Sequence, residues 1–370
     1  MKQNHIMKTS KSFAYFLTAL CFLATLTNCN KEDDTVIDPD NNQNSNTQVS
    51  TFAGSNIGYI DDIGENAEFN YPTDIVADSQ GNLYVADQYN HKIRKITPNG
   101  VVTTLAGSTD GNEDGTGVNA KFYNPSAITI DQNNNLYVAD TNNNKIRKIT
   151  PSGIVTTIAG STEGYEDGTG TDAKFSSPRG IKADVQGNIF VADYYNHRIR
   201  KISPNGVVST LAGSTPPGFA DGMGEDAKFR NLGGITIDSQ GNLYVSDGAN
   251  HKIRKITSNG QVSTIAGSTK GYVNGAGTSA KFDRPFGITI DSQDNLYVVD
   301  NFNSKIRKVS TSGSVSTVAG ATIGGTDSGA ADGPVATAQF YLPTGITINN
   351  QDILYVADRA NHKIRKITRE

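Results

Sequence analysis

Short apolar runs alternate with polar turns along most of the chain, and this pattern predicts β-strands. In the stretch after Pro125 the runs rich in Ile, Val, Thr and Tyr occupy residues 127–131, 135–139, 145–150 and 154–159. Asn, Gly, Ser and Pro fill the breaks between them, which is typical of a four-stranded antiparallel meander. Leu136, Tyr137 and Val138 place apolar side chains on both faces of a strand, so we expect each sheet to be packed between two others.

The same unit recurs along the chain, which predicts a repeat architecture. The aspartate that closes the second strand recurs at intervals of 53, 53, 54, 53 and 58 residues, at Asp87, Asp140, Asp193, Asp247, Asp300 and Asp358. A fixed period of this size is typical of solenoids and propellers. Sheets that are apolar on both faces favour the β-propeller, in which each blade lies between two neighbours.

The two ends of the repeat array are complementary. The array begins at residues 49–54 with a fourth strand and ends at residues 363–368 with a third strand. We therefore predict an all-β fold, a six-bladed β-propeller of four-stranded antiparallel blades that is closed by pairing of 49–54 with 363–368. Such closure removes the exposed strand edges that the alternative, a linear solenoid, would leave.

The repeated segments resemble NHL repeats, a family named for an Asn-His-Leu triplet. The resemblance rests on Asn-Leu-Tyr-Val-Ala-Asp and on Asn90-His91-Lys92, in which Lys replaces the Leu of the triplet, and it covers residues 49–370. Two copies depart further, at Asn143-Asn144-Lys145 and Asn303-Ser304-Lys305. The resemblance implies a six-bladed propeller but no single function, because relatives include protein-binding platforms, RNA-binding domains and a few lyases or lactonases.

The first 28 residues differ from the repeats. Three lysines precede an apolar run at residues 13–26, which is too short to span a bilayer comfortably. The following Leu26-Thr27-Asn28-Cys29 resembles the lipobox of bacterial lipoproteins. This resemblance implies a signal peptide at residues 1–28 and a lipid on Cys29; the alternative is a retained anchor helix.

Residues 29–47 are acidic and rich in Asn, and they predict a flexible tether. The propeller would then occupy residues 48–370, with no cysteine left for a disulfide. The lipoprotein resemblance implies a bacterial cell envelope protein that is lipid-anchored to the outer membrane, either periplasmic or surface-exposed. The lipid on Cys29 would be its one membrane contact.

The charge balance argues against a nucleic-acid partner. The formal net charge of −4 becomes about −7 (−4 − 3) once a leader with three lysines and no acids is removed. Nucleic-acid binding needs clustered Lys and Arg. We expect a monomer with a protein or glycan partner.

Two repeated features could suggest a metal, but both have simpler interpretations. Four repeat histidines would be spread around the ring, whereas zinc ligands must converge on one point. The Asp-Gly loops before the first strands typically offer one Asp, and Asn274 replaces it in one copy, whereas calcium needs six to eight oxygens. We therefore expect no metal and no cofactor.

Residues that recur in every blade are most simply structural. We expect the repeated aspartates to pair with the arginines of the Ile-Arg-Lys segments, at Arg94, Arg147, Arg200, Arg254, Arg307 and Arg365. The insertions that carry the Asp-Gly loops each end in a phenylalanine that should plug between blades. These insertions connect fourth to first strands, so we expect them to build a broad rim on the face of the second-to-third turns.

Function is expected where the blades differ. At the start of the first strands, which should surround the central channel, the singular residues are Asp74, Arg179, Lys182 and Phe286. A second variable ring follows the repeated aspartates and contributes Tyr89, Tyr194, Tyr195, Phe302 and Arg359. Tyrosine and arginine are typical interface anchors, although drift in loops would produce the same variation.

These observations favour a lipid-anchored binding or scaffold module that holds a protein or glycan on its loop face. The alternative is a metal-dependent lyase or lactonase with its site at the mouth of the central channel. The sequence offers Asp74 and few companions for such a site, and no nucleophile–base pair of the usual type. Binding is therefore the preferred hypothesis, and no catalytic residue is assigned.

Overall fold

The fold is a six-bladed β-propeller, as predicted. The structure, a computed structural model, describes residues 47–321 and 328–368. Within them the strands form six antiparallel sheets. The first strands of successive sheets contact one another in a closed ring, because the first strand of the last sheet also contacts that of the first. The strands of each blade therefore run outward from a central channel.

Each blade has four main strands, which are numbered from the channel outward. Blade 1 comprises Pro72–Ala77, Leu83–Asp87, Lys92–Ile96 and Val102–Ala106. Blade 2 comprises Pro125–Ile130, Leu136–Asp140, Lys145–Ile149 and Ile154–Ala159. Blade 3 comprises Pro178–Ala183, Ile189–Asp193, Arg198–Ile202 and Val207–Ala212.

Blades 4 to 6 repeat this arrangement. Blade 4 comprises Leu232–Ile237, Leu243–Asp247, Lys252–Ile256 and Gln261–Ala266. Blade 5 comprises Pro285–Ile290, Leu296–Asp300, Lys305–Val309 and Ser314–Ala319. Blade 6 comprises Ile346–Ile348, Leu354–Asp358, Lys363–Thr368 and Gln48–Ala53.

Blade 6 is built from both ends of the repeat array. Gln48 pairs with Thr368 and Val49 with Ile367 in antiparallel register. The strand that supplies the fourth position begins and ends one residue earlier than the predicted 49–54. The predicted closure is confirmed, and it joins the first and last segments of the ring by strand pairing.

Five blades carry a short fifth strand that the sequence pattern did not predict. These two-residue strands pair with the fourth strands of blades 2 to 6, at Gly115–Thr116, Gly168–Thr169, Gly222–Met223, Gly275–Ala276 and Gly333–Pro334. Each lies within the insertion that leads into its blade. In blade 1 a single antiparallel bridge between Ile63 and Val101 occupies the same place.

The insertions therefore cover the outer edges of the blades as well as the loop face. At its start the first insertion meets the second-to-third turn, where Asn90 Nδ2 donates to Gly58 O at 2.6 Å. The middle of the insertion then runs along the outermost strand of the blade. Only part of the insertion therefore contributes to the predicted broad rim. Pairing at this edge satisfies backbone groups that an outermost strand would otherwise expose.

Short 3₁₀ helices complete the blades. Those in the insertions span Gly64–Asn66, Gly117–Asn119, Gly170–Asp172, Gly224–Asp226 and Gly277–Ser279. Those between second and third strands span Gln88–Asn90, Thr141–Asn143, Gly248–Asn250, Asn301–Asn303 and Arg359–Asn361. Among the described residues, no helix is long and apolar enough to cross a membrane.

A buried ion pair recurs in every blade. Asp87 Oδ2 lies 2.7 Å from Arg94 Nη1, and both side chains are fully buried. Arg94 Nη2 also lies 2.6 Å from Asp61 Oδ1, which occupies in the first insertion the place of the Asp in the Asp-Gly loops. The aspartate that could have suggested calcium is thus a partner of the arginine. In blade 5, Asn274 Oδ1 accepts from Arg307 Nη2 at 2.8 Å instead.

The apolar core lies between the blades. Six clusters each combine side chains of two neighbouring blades. Every cluster includes the phenylalanine at the end of an insertion, fully buried at Phe69, Phe122, Phe175, Phe229, Phe282 and Phe340. The predicted interblade plugs are confirmed. The predicted signal peptide at 1–28, lipidated Cys29 and nearly all of the tether at 29–47 lie outside the described residues.

Candidate functional site

The first strands approach one another so closely at the channel that four blades have glycine at one equivalent position. A Cβ on Gly180 would lie 2.2 Å from Gly233 O, and a Cβ on Gly287 would lie 2.1 Å from Thr344 O. Asp74 occupies this position in blade 1, where its Oδ2 accepts from Ile128 N of blade 2 at 2.9 Å. Its side chain therefore joins two blades at the axis.

Asp74 and Lys182 lie in a narrow central cavity of about 50 Å³. Burial raises the pKa of Asp74 to about 7, against the opposing effects of the Ile128 N–H and the Lys182 charge. Burial also lowers the pKa of Lys182, and the charge of Asp74 opposes that shift. A cavity of this volume holds a few waters rather than a substrate. Asp74 and Lys182, two of the predicted site residues, therefore line the narrow channel rather than a ligand-sized cavity.

A wider cavity of about 270 Å³ opens beside the channel, and we call it the mouth cup. All six blades contribute to its lining, and its large side chains are Tyr89, Arg179, Tyr194, Arg284, Phe286, Phe302 and Arg359. Arg179 and Phe286 line the narrow channel cavity as well, so the two spaces adjoin. Six of the nine predicted ligand-binding residues therefore converge on one concave surface.

Tyr195 is the one predicted residue that lines neither cavity. Its ring packs edge-on against Tyr194, with 4.9 Å between ring centroids, and 53% of the residue is exposed. It therefore supports a lining residue from outside the mouth cup.

Arginine and aromatic side chains are paired around the mouth cup. Arg179 Cζ lies 4.1 Å from the centroid of the Tyr194 ring, and Arg284 Cζ lies 4.9 Å from that of Phe302. Arg359 Cζ lies 4.7 Å from the ring of Tyr71. Such stacking orients a guanidinium group and leaves its N–H edges available for other partners.

Arg284 was not among the residues predicted from the sequence. It precedes the first strand of blade 5, at a position where the other blades have Tyr, Asn, Ser, Asn and Leu. The backbone at this position is left-handed in all six blades, with φ of 52° at Arg284. Comparing one position further upstream in each blade would have identified it as another singular residue.

The repeat histidines hold neighbouring blades together. His91 Nδ1 accepts from the backbone N–H of Asn124 at 3.2 Å, across the boundary between blades 1 and 2. At the next boundary Asn144 Oδ1 accepts from Ser177 N at 2.8 Å in the same way. Within residues 47–321 and 328–368, no group of three His, Cys, Asp or Glu side chains could hold a metal ion.

A third cavity, of about 790 Å³, lies on the opposite face of the propeller. It is bordered by first-to-second turns of blades 2 to 4, including Val185 and Gln186, and by Phe190 and Leu211. None of the singular residues that line the mouth cup reaches it, although Lys182 borders it from the channel. This groove is a second concave surface, and substitutions in it can serve as controls for substitutions in the mouth cup.

Comparison with known proteins identifies the repeat. Five segments match the NHL repeat, at residues 69–96, 122–149, 175–202, 229–256 and 340–367. The chain is 30% identical over 346 residues to NHL repeat-containing protein 2 of Gallus gallus, covering 81% of this chain and 46% of that protein. The chain therefore spans about half the length of the curated relatives that it matches.

Solved structures share the fold. An auxiliary nutrient binding protein from Bacteroides ovatus superposes with a TM-score of 0.68 at 19% identity, covering 88% of this chain and 77% of that chain. Virginiamycin B lyase from Staphylococcus aureus superposes with a TM-score of 0.54 at 19% identity, covering 88% and 99% respectively. At this level of identity the likeness shows the fold alone.

Proposed function

We propose that this chain, which belongs to the NHL-repeat β-propellers, is a binding module that holds a glycan or protein segment in its mouth cup. The observation that carries the proposal is the convergence of residues that differ between blades. Residues shared by all blades form ion pairs and interblade plugs, whereas Arg179, Phe302 and Arg359 line one cavity. A ligand held in this cavity would account for the differences between the blades there.

The shape and chemistry of the mouth cup support binding. It is concave, and its aromatic side chains remain accessible, with 45% of Tyr89 and 46% of Phe302 exposed. Ligand sites typically combine such a concavity with apolar surface and a few polar groups that orient the ligand. A nutrient-binding protein on the same fold is consistent with this role.

A lipid on Cys29 would extend this role to the surface of a membrane. We expect the propeller to be carried on a tether from the outer membrane of a bacterial envelope, where a captured ligand would be held close to the cell. Metabolic labelling with an alkyne fatty acid tests the lipid, with Cys29→Ala as the unlabelled control. Labelling that persists in this variant would contradict the assignment.

The catalytic alternative has one observation in its favour, because Asp74 has a pKa of about 7 beside Lys182. Perturbed pairs of this kind occur at catalytic sites. Asp74 and Lys182 lie, however, in a cavity of about 50 Å³, which is too small for a substrate. A metal-dependent lyase or lactonase would also need ligands that the described residues do not bring together.

The proposal is tested by screening the purified chain against glycan and peptide arrays. We expect capture of a defined set of ligands by the wild type and its loss in Phe302→Ala, which removes an exposed ring of the mouth cup. Val185→Ala, in the groove on the opposite face, is the matched control and should bind normally. Loss of capture in Val185→Ala alone would overturn the proposal.

A further inference from the structure

The arginines of the mouth cup lack the acidic partners that other arginines of this chain have. Arg94 and its equivalents in the other blades lie buried against a fully buried aspartate, and most also contact an aspartate of the insertion. Among the described residues, Arg179, Arg284 and Arg359 form no ion pair, and no Asp or Glu lines the mouth cup. Asp283 precedes Arg284 in the chain, but its carboxylate pairs with a lysine instead. Its Oδ2 lies 3.3 Å from Lys270 Nζ.

The guanidinium groups of the mouth cup are positioned but have donors to spare. Arg179 stacks on Tyr194, and Arg359 stacks on Tyr71 while its Nη2 donates to Gln88 Oε1 at 3.3 Å. An arginine has five N–H donors, so most of those in Arg359 remain available. Because the stacking fixes these side chains before a ligand arrives, little conformational entropy is lost on binding.

The electrostatics of the mouth cup favour an anion. Burial lowers the pKa of Arg359, Tyr89 and Tyr71 oppose that shift, and the charge of Arg179 adds to it. The two cations therefore repel each other across a partly desolvated space in a chain whose net charge is −4. An anion between them relieves this repulsion, and a carboxylate matches the planar fork of a guanidinium in bidentate geometry.

The size and the aromatic walls narrow the class of ligand. A cavity of about 270 Å³ is smaller than most sites for drug-sized ligands. It suits one or two sugar rings better than a folded protein surface, which would bury a much larger area. Phe286 and Phe302 offer apolar ring faces against which the C–H face of a pyranose can pack.

We propose that the mouth cup binds an acidic sugar, with the sugar carboxylate held by Arg179 and Arg359 and the sugar ring against Phe286 or Phe302. This inference rests on the proposed function, because it names the ligand class of the same cavity. Uronic acids are one class of sugar with this chemistry. An acidic peptide would satisfy the arginines but would make no specific use of the aromatic walls.

The test is isothermal titration of the purified chain with three matched probes. These are digalacturonic acid, its methyl ester and neutral digalactose, and a poly-glutamate peptide is added as a fourth. We expect the acid to bind more tightly than the ester and the neutral sugar by about 10- to 100-fold, the range of a charge-assisted hydrogen bond. This preference should weaken as salt is raised.

Arg179→Gln and Arg359→Gln should each reduce the affinity for digalacturonic acid by about tenfold or more, and should reduce the weaker binding of digalactose much less. Arg230→Gln is the control, because Arg230 is exposed and outside the lining of the mouth cup. It removes the same charge and reports on long-range electrostatics alone. Thermal melting of each variant establishes that the propeller remains folded.

Three other outcomes of these titrations would overturn the assignment of an acidic sugar. Equal binding of the acid and neutral sugars, sensitive to Phe302→Ala but not to the arginine variants, would leave the proposed function standing and remove its acidic ligand. Binding of poly-glutamate alone, lost in Arg179→Gln, would assign the arginines to an acidic protein instead. Failure of all four probes to bind would overturn the acidic-sugar assignment, while the array screen separately decides the proposed function.

Discussion

In four blades, the histidine of the second-to-third turn accepts the same hydrogen bond from the neighbouring blade. Its Nδ1 accepts a hydrogen bond from the backbone N–H of the left-handed residue in the next blade, as in His91 with Asn124 and His251 with Arg284. An acceptor nitrogen must be unprotonated. Burial lowers the pKa of these histidines, which keeps them neutral in the folded protein.

The histidines should make the propeller sensitive to mild acid. Their folded-state pKa values lie below the ordinary 6.5, so their contribution to stability is complete above that pH and is lost as pH falls through the folded values. Replacing His91, His197, His251 and His362 together by Asn, which blade 2 has naturally at Asn144, should flatten the melting temperature between pH 7 and pH 5. An equally steep decline in this variant would contradict the assignment.

Asp74 should destabilise the propeller at alkaline pH. Below pH 3.8 the carboxyl is protonated in both states, whereas between pH 3.8 and about 7 the unfolded chain ionises and the folded chain does not. Stability is therefore lost as pH rises, and the full cost applies above pH 7. Asp74→Asn should be more stable than the wild type by about 4 kcal/mol at pH 8 and close to it near pH 3, measured by urea unfolding.

Comparison of equivalent residues predicted most of the large side chains that line the mouth cup. Residues that differ between blades, such as Arg179 and Arg359, converge on the mouth cup, and recurrent Asp87 pairs with Arg94 as expected. The sequence could not separate Asp74 and Lys182, which line the narrow channel, from the cup itself. Which residues line the channel and which line the mouth cup depends on how closely the first strands approach one another. The residue pattern does not predict that distance.

At the scale of elements, the insertions act as outer strands of the blades. Thr210 N of the fourth strand in blade 3 donates to Asp167 Oδ2 at 3.1 Å, and the same carboxylate lies 2.6 Å from Arg200 Nη2. One aspartate thus connects the insertion, the third strand and the fourth strand. The Asp-Gly repeat is visible in the sequence but its arginine partner is not, because the two residues are 33 positions apart and meet only through the fold.

Removing this connection should weaken a blade. Asp167→Ala leaves the buried Arg200 with fewer partners, and we expect a loss of about 1–3 kcal/mol in the free energy of unfolding. Asp167→Asn is the matched control, because blade 5 uses Asn274 in the same position, and it should lose much less. Urea denaturation compares the two, and equal losses would show that charge rather than hydrogen bonding stabilises the insertion.

At the scale of the whole molecule, stability depends on ring closure. The six interblade clusters form a continuous ring, and blade 6 links its two ends by pairing Gln48–Ala53 with Lys363–Thr368. The repeat count and the complementary termini were sufficient to predict this closure, because a missing strand at one end matched an extra strand at the other.

Deleting residues 48–53 should therefore cost far more than an ordinary truncation. It exposes the edge of Lys363–Thr368 and removes Ala53 from the cluster between blades 6 and 1. We expect a lower, broader melting transition and aggregation through the open edge. A circular permutant that joins the paired ends and opens the turn at Ser258 retains every strand and should melt like the wild type. Similar melting of the deletion would contradict a closing role.

The central claim is that the ligand sits where the blades differ. Hydrogen–deuterium exchange of the purified chain, with and without the tightest-binding array ligand, tests it most directly. We predict protection of the segments that border the mouth cup, at residues 88–90, 284–286, 301–303 and 359–361, with little change elsewhere. Protection confined to residues 184–188 and 238–241, which border the groove on the opposite face, would contradict it.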